Sequence, residues 1–169
     1  MAASDTPNPL RQTVGRALGR IPSGVFILTT VAEPPGRFPL AMMVSWVQQA
    51  AFAPPAVCLA IGRDRPIRSV LEGSRRFTLS VLGHGDSDVL KRFARGFEPD
   101  VDPFDGVATH ATPGGLPVLS GALAWLDCRL TQSFDFDADH LLLVAEVVDG
   151  NLQKEGAPFT HVRGNGFHY

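Results

Sequence analysis

Three segments of this chain hold residue types that do chemistry at a useful spacing. The first is Gly62-Arg63-Asp64-Arg65-Pro66-Ile67-Arg68, which places three guanidinium groups where a strand gives way to a helix. Backbone N–H groups at a helix start carry partial positive charge and guanidinium forks add paired donors, so the segment suits a phosphate. The same residues also make a solvated turn whose arginines pair with Asp64 or Glu72. The second segment is Asp139-His140, at the head of an apolar run. A carboxylate beside an imidazole orients the ring and holds it charged, ready to face an anion or a developing charge. A histidine at a strand end is otherwise an ordinary surface residue. The third is Met42-Met43-Val44-Ser45-Trp46-Val47-Gln48-Gln49. Strand alternation sets Met43, Ser45 and Val47 on one face and Val44, Trp46 and Gln48 on the other. Ser45, Gln48 and Gln49 offer polar contacts to a flat heteroaromatic ligand, whereas Trp46 reads as a packing or interface residue.

Other chemistries lack their residues. There is no GxGxxG after a strand and no GxxxxGK[ST], so neither a Rossmann site nor a P-loop is expected. HExxH and GxSxG are missing too, which removes the usual zinc- and serine-hydrolase readings. Cys58 and Cys128 stand singly in apolar runs with no CxxC, which fits packing residues and no metal site. The formal charge of −2 gives no basic field to draw the chain to nucleic acid or to a membrane surface. No apolar run approaches the ~20 residues of a membrane span, and the first twelve residues lack the apolar stretch of a secretory signal. The expectation is a cytoplasmic protein.

The elements that position these segments follow from composition and pattern. With 169 residues, 44% hydrophobic and 19% charged, the chain suits one domain with a core of ordinary size. Seventeen Gly and fourteen Pro favour short strands joined by turns over a helical bundle. Residues 1–12 read as a flexible lead-in and 13–169 as the domain. Leu10, Val14, Ala17, Leu18 and Ile21 recur at helical spacing and predict an amphipathic helix over 10–20. Strands are expected over 25–31, 40–51 (one continuous strand), 56–61, 77–82, 122–134 and 140–148, with a last one within 159–169. Helical turns are expected over 65–71, with Pro66 in the first turn, and over 86–94, with Asp86 as N-cap. Residues 33–36 and 135–139 read as turns, and 98–117 as a long irregular loop of the kind that serves function or an interface. The fold class is mainly β, a β-barrel with short helices.

In that order the segments resemble the flavin reductase-like family, whose fold is the FMN-binding split barrel. The matching pieces begin with Ile21-Pro22-Ser23-Gly24-Val25, Leu28-Thr29-Thr30 and Ala41-Met42-Met43-Val44-Ser45. They continue through Phe52-Ala53-Pro54-Pro55-Ala56-Val57, the turn Gly62 to Arg68, Phe77-Thr78-Leu79-Ser80-Val81-Leu82 and Leu90-Lys91-Arg92-Phe93-Ala94. Gly115-Leu116-Pro117-Val118-Leu119, Ala122-Leu123-Ala124-Trp125-Leu126-Asp127-Cys128 and Asp139-His140 complete the set. Within the family the chain is most similar to the C-terminal flavin reductase module of photosynthetic-type flavodiiron (diflavin) proteins. Ala41-Met42-Met43-Val44-Ser45-Trp46-Val47-Gln48-Gln49-Ala50, Arg63-Asp64-Arg65, Phe97-Glu98-Pro99 and the ending His161-Val162-Arg163-Gly164-Asn165-Gly166-Phe167-His168-Tyr169 carry that likeness.

The resemblance implies an NAD(P)H-dependent flavin oxidoreductase that binds FMN, with FAD possible, and takes hydride from NADH or NADPH. It implies that Met43, Val44, Ser45 and Trp46 hold the isoalloxazine, and that Arg63, Asp64, Arg65 and Ile67 hold the flavin phosphate. His140, assisted by Asp139, then orients the nicotinamide. It further implies a homodimer with flavin sites near the interface, where the loop 98–117 would lie, and an electron-accepting flavodiiron or monooxygenase partner. An FMN-binding electron-transfer module fed by a protein partner, without direct NAD(P)H oxidation, is the alternative, and a flavin-binding barrel with no redox role is a third reading.

Overall fold

The computed structural model describes residues 9–32, 36–98 and 100–167. The chain opens with α1 (Pro9–Leu18) and the two-residue strand β1 (Ser23–Gly24). Four strands follow: β2 (Phe26–Thr30), β3 (Leu40–Val44), β4 (Val47–Phe52) and β5 (Pro55–Gly62). Next come α2 (Ile67–Ser74), β6 (Arg76–Val81), α3 (Ser87–Phe93) and the short hairpin β7 (Thr109–Ala111) and β8 (Pro117–Leu119). The long pair β9 (Ala124–Asp135) and β10 (His140–Leu152) precedes β11 (Thr160–His161), which pairs with β1.

Seven strands form one antiparallel sheet in the order β3-β2-β6-β9-β10-β5-β4. The run 40–51, expected as one strand, is two. β3 and β4 occupy opposite edges of that order, joined only by Ser45 and Trp46. Laid flat, six inter-strand steps would hold the edges about 29 Å apart, whereas the chain from Val44 to Val47 spans at most about 11 Å. The sheet must therefore curl until its edges nearly meet, which makes a barrel with a split at Ser45-Trp46. Two register shifts in the β9–β10 ladder, at Val144/Ala145 and Val147/Asp149, add to the curl. This confirms the mainly β, split-barrel expectation.

The barrel closes on Leu28, Leu59, Ile61, Phe77, Leu79, Cys128 and Leu143. A second apolar cluster outside it gathers Ile27, Leu82, Phe93, Phe104 and Leu119. β2 lies between the two, so Ile27 and Leu28 are both buried, as an unbroken apolar run requires. The expected irregular loop contains the hairpin β7–β8, pinned over polar side chains of the sheet. Thr78 Oγ1 donates to the Pro117 carbonyl (3.0 Å), Leu119 N–H donates to Ser80 Oγ (3.0 Å), and Thr112 Oγ1 donates to Asp127 Oδ2 (2.9 Å). Those bonds let Thr78, Ser80 and Asp127 lie buried on the sheet's outer face.

Several local expectations change. The helix forms as α1, two residues shorter than expected at its end, and its apolar stripe is exposed: Leu10 is 70% exposed, Ile21 beyond the helix 60%, and the buried residue of the helix is Gly15. A smooth glycine surface lets another segment approach where a leucine would hold it off. Asp86 occupies the N-cap position of α3 as expected, but its side chain makes no capping bond; its Oδ2 accepts from the N–H of Gly83 (2.7 Å) instead. Pro66 stands at the start of α2 as anticipated. The tail forms only the two residues of β11. Residues 1–8 of the lead-in, the turn residues 33–35, Pro99 and the last two residues lie outside the described residues.

Candidate functional site

The barrel's split opens into a cavity of about 480 Å³, within the size range of small-molecule sites. One wall is the β3 end and its crossover, Met42 to Trp46; a second is the end of β5 with Arg65 beyond it. The last turn of α3 and the residues after it, including Phe93, Lys91 and Arg95, form the third, and His140, Phe159 and His161 complete the lining. Its chemistry is one-sided. Arg65, Lys91, Arg95, His140 and His161 line it, and among the described residues no Asp or Glu does. In a chain of net charge −2, that clustering of basic side chains, Arg65, Lys91 and Arg95 among them, around apolar walls selects a ligand with a flat apolar body and an anionic end.

Met43, Val44, Ser45, Trp46, Arg65 and His140 meet in this lining. Ser45 and Trp46, expected on opposite faces of a strand, both face the cavity because they form the crossover rather than a ladder. The Trp46 ring lies 4.8 Å from the His140 ring, inclined at 45°. His140 Nδ1 is 3.0 Å from Asp139 Oδ1, with the imidazole side chain 13% exposed and the carboxylate 90% exposed. Hydrogen bonding to His140 holds the Asp139 carboxyl below its usual range. Asp139 thus orients the ring from the solvent side. The residue of this turn with left-handed backbone is Asp137 (φ 59°).

Arg63, Asp64, Asp139 and Ile67 stand outside the lining. Ile67 is 5% exposed in the barrel core, so its side chain offers nothing to a ligand. Arg63 is engaged elsewhere. Its guanidinium forks onto Asp135, with Nη1 2.6 Å from Oδ2 and Nη2 donating to Oδ1, while Nε donates to the Ala138 carbonyl. Its backbone N–H donates to the Asp139 carbonyl at 3.0 Å. Arg63 therefore clamps the β5 end to the β9–β10 hairpin and so fixes the strand that presents His140, opposite Gly62. The solvated alternative holds at Arg68, whose Nε is 3.9 Å from Glu72 Oε2.

The clamp has a pH signature. The Arg63 fork, helped by the Asp137 N–H, lowers the Asp135 carboxyl to about 2. A depressed folded value means that the stabilisation is complete above the ordinary carboxylate range, about pH 4, and is lost as pH falls toward 2. Asp135→Asn should melt below the wild-type chain at about pH 6, and the gap should close as the pH approaches about 2. Melting curves offset equally at every pH would contradict this. Cys128, by contrast, is buried and its thiol is pushed far up by desolvation, which keeps it an inert core residue.

Lys91, Arg95, Phe159 and His161 were not singled out as site residues by sequence reasoning. A signal existed for the first two: Lys91 and Arg95 are four apart, so they share one face of α3 and its continuation. Nothing in the local pattern told that this face looks into a cavity.

A sequence profile described as flavin reductase like domain matches residues 18–168. Diflavin flavoprotein A 1 of Synechocystis sp. is 36% identical over 156 residues, which is 91% of this chain and 26% of that protein. The chain thus spans about a quarter of the length of such curated relatives. Among solved structures, the Streptomyces globisporus NADH:FAD oxidoreductase SgcE6 superposes with a TM-score of 0.79 at 26% identity, covering 97% of this chain and 95% of that one. Nitrilotriacetate monooxygenase component B from Mycobacterium thermoresistibile gives 0.79 at 27% identity, covering 90% and 83%.

Proposed function

Because the chain belongs to the flavin reductase-like domain family, we propose that it is an NAD(P)H-dependent flavin oxidoreductase holding FMN in the split of its barrel. The observation that carries this reading is the cavity with five basic residues and no carboxylate in its lining. Its donor set suits the ligand. Met43, Val44, Ser45 and Trp46 provide a wall for the ring system, and Arg65, Lys91 and Arg95 provide charge for the phosphate. FAD is the alternative flavin, and one similar protein is solved in complex with NAD and FAD fragments.

Bound flavin supplies the ring that accepts hydride from the nicotinamide of NADH or NADPH. The protein's share is positioning, since hydride transfer asks for two flat rings in contact and little proton movement. His140, held by Asp139 and by the Arg63 clamp on its hairpin, orients the nicotinamide at one end of the cavity. Phe93 and Phe159 keep the walls apolar and limit water. His140→Ala should raise the KM for the nicotinamide donor about three- to tenfold, the loss of one hydrogen bond, and leave FMN affinity little changed. Steady-state kinetics with both donors would check it, and an unchanged KM would remove His140 from the donor site.

A second reading draws on the relatives' greater length: an FMN-binding module that receives electrons from a protein partner. One experiment separates the two. The purified chain, loaded with FMN and freed of excess, is mixed anaerobically with NADH and then NADPH. Loss of the visible flavin absorbance supports the reductase and identifies the donor; flavin that stays oxidised moves the reading to the partner-fed module. The reading extends to a single domain over 13–169, a homodimer, and an electron acceptor of flavodiiron or monooxygenase type. Among the described residues no helix is long and apolar enough to cross a membrane.

A further inference from the structure

The segment after β11 returns to the cavity from the far end of the chain, and α1 holds it there. Arg163 N–H donates to the Gly19 carbonyl at 2.9 Å, and Gly166 N–H donates to the Gly15 carbonyl at 2.6 Å. The approach is closer than side chains permit. A Cβ on Gly19 would stand 2.4 Å from the Arg163 carbonyl oxygen, and one on Gly166 would stand 2.3 Å from the Cβ of Leu18. Both glycines meet neighbouring backbone or a Cβ rather than a flexible tip, so the segment has one seating. That seating carries the Arg163 guanidinium to 4.8 Å from the centre of the Trp46 ring. Trp46 in turn lies 4.8 Å from His140, and His140 lies against Asp139. Arg163 thus neighbours Trp46, Trp46 neighbours His140 and His140 neighbours Asp139, and of these Trp46 and His140 line the cavity.

We propose that Arg163 is a positioning residue that, by stacking on Trp46, fixes the indole against His140 and so sets where a second planar ring can lie in the cavity. Trp46 belongs to neither edge strand but to the two-residue crossover between them, where its carbonyl accepts from the Ala60 N–H at 3.0 Å. A guanidinium over an indole is attracted by the electron-rich face of the ring, and here it stands 4.8 Å from the ring centre. The inference rests on the reading of this cavity as the site where flavin and nicotinamide meet.

The test uses the full chain with Arg163→Met, which keeps an apolar stem and removes the charge, and Arg163→Lys, which restores a cation. In the FMN-loaded protein, Arg163→Met should raise the donor KM about three- to tenfold and weaken FMN binding by less, since Trp46 is one of four residues in the flavin wall, and Arg163→Lys should recover most of both losses. Without flavin, acrylamide quenching of tryptophan fluorescence, corrected with Trp46→Phe for the Trp125 contribution, should rise in Arg163→Met and fall back in Arg163→Lys. A donor KM and quenching both unchanged in Arg163→Met would overturn the role of Arg163 alone. Wild-type protein that binds no FMN would overturn the reading of the cavity and this inference with it. If Arg163→Met fails to fold, Gly19→Ala, which displaces the segment and keeps Arg163, must show the same rise in quenching; unaltered quenching in that variant would also refute the proposal.

Discussion

Arg65→Ala should bind FMN about 1.5–3 kcal/mol more weakly than the wild-type chain, as measured by flavin fluorescence titration. Of the three arginines between Arg63 and Arg68, two in the turn after β5 and one in α2, Arg65 is the one that lines the cavity. A guanidinium facing a phosphate dianion makes charge-assisted bonds of about that strength, and water at the cavity mouth sets the value toward the lower end. Arg63→Ala is the matched control. Its guanidinium is engaged by Asp135 and Ala138, so the substitution should leave FMN affinity almost unchanged and loosen the hairpin that carries His140. Its cost should appear in the donor KM and in acid stability. If the two variants behaved the other way round, the phosphate would lie on the hairpin side of the turn and the proposed orientation of the ligand would be reversed. Added salt should weaken FMN binding in the wild type more than in Arg65→Ala, because the missing charge no longer contributes a screenable attraction.

Phe93→Ala should cost about 3–5 kcal/mol of stability, seen as a lower urea midpoint with an unchanged slope. Phe93 is 2% exposed and holds together the second apolar cluster. Its ring stands edge-on to Phe97 at 5.1 Å and is tilted against Phe104 at 5.8 Å. It also lines the cavity, so one side chain joins the core to the site. Removing it leaves a void and frees the end of α3, which carries Lys91 and Arg95. FMN affinity should therefore fall together with stability. Phe93→Leu should restore most of both, since it refills much of the volume. A loss in Phe93→Ala below about 1 kcal/mol would show that this cluster collapses readily and that α3 is anchored elsewhere.

Much of the candidate site was legible before any fold was known, because its residue types carry their own chemistry. An arginine turn between a strand and a helix, an Asp-His pair at a strand head and a Ser-Trp pair in an apolar run are local facts. Periodicity likewise marked β2, β5, β6, β9 and β10 within a few residues, since each is long enough to show which side chains avoid water. The resemblance to the flavin reductase-like family drew on these same segments in order.

The rest was decided by closure of the sheet, which joins residues distant in the chain. The run 40–51 has the pattern of one strand, and only the meeting of the two sheet edges breaks it at Ser45-Trp46 and turns both side chains into the cavity. Arg63 and Arg65 are indistinguishable as neighbours in sequence. The β10–β5 register places one of them beside Asp135, 72 residues away, and leaves the other at the cavity. The pattern of α1 marked an amphipathic helix without telling its partner, and it is Gly15 and the following Gly19 that receive the segment bearing Arg163. Local pattern reports how a residue relates to water and to its near neighbours. Which distant residue comes to face it depends on strand order and register, which tertiary packing selects.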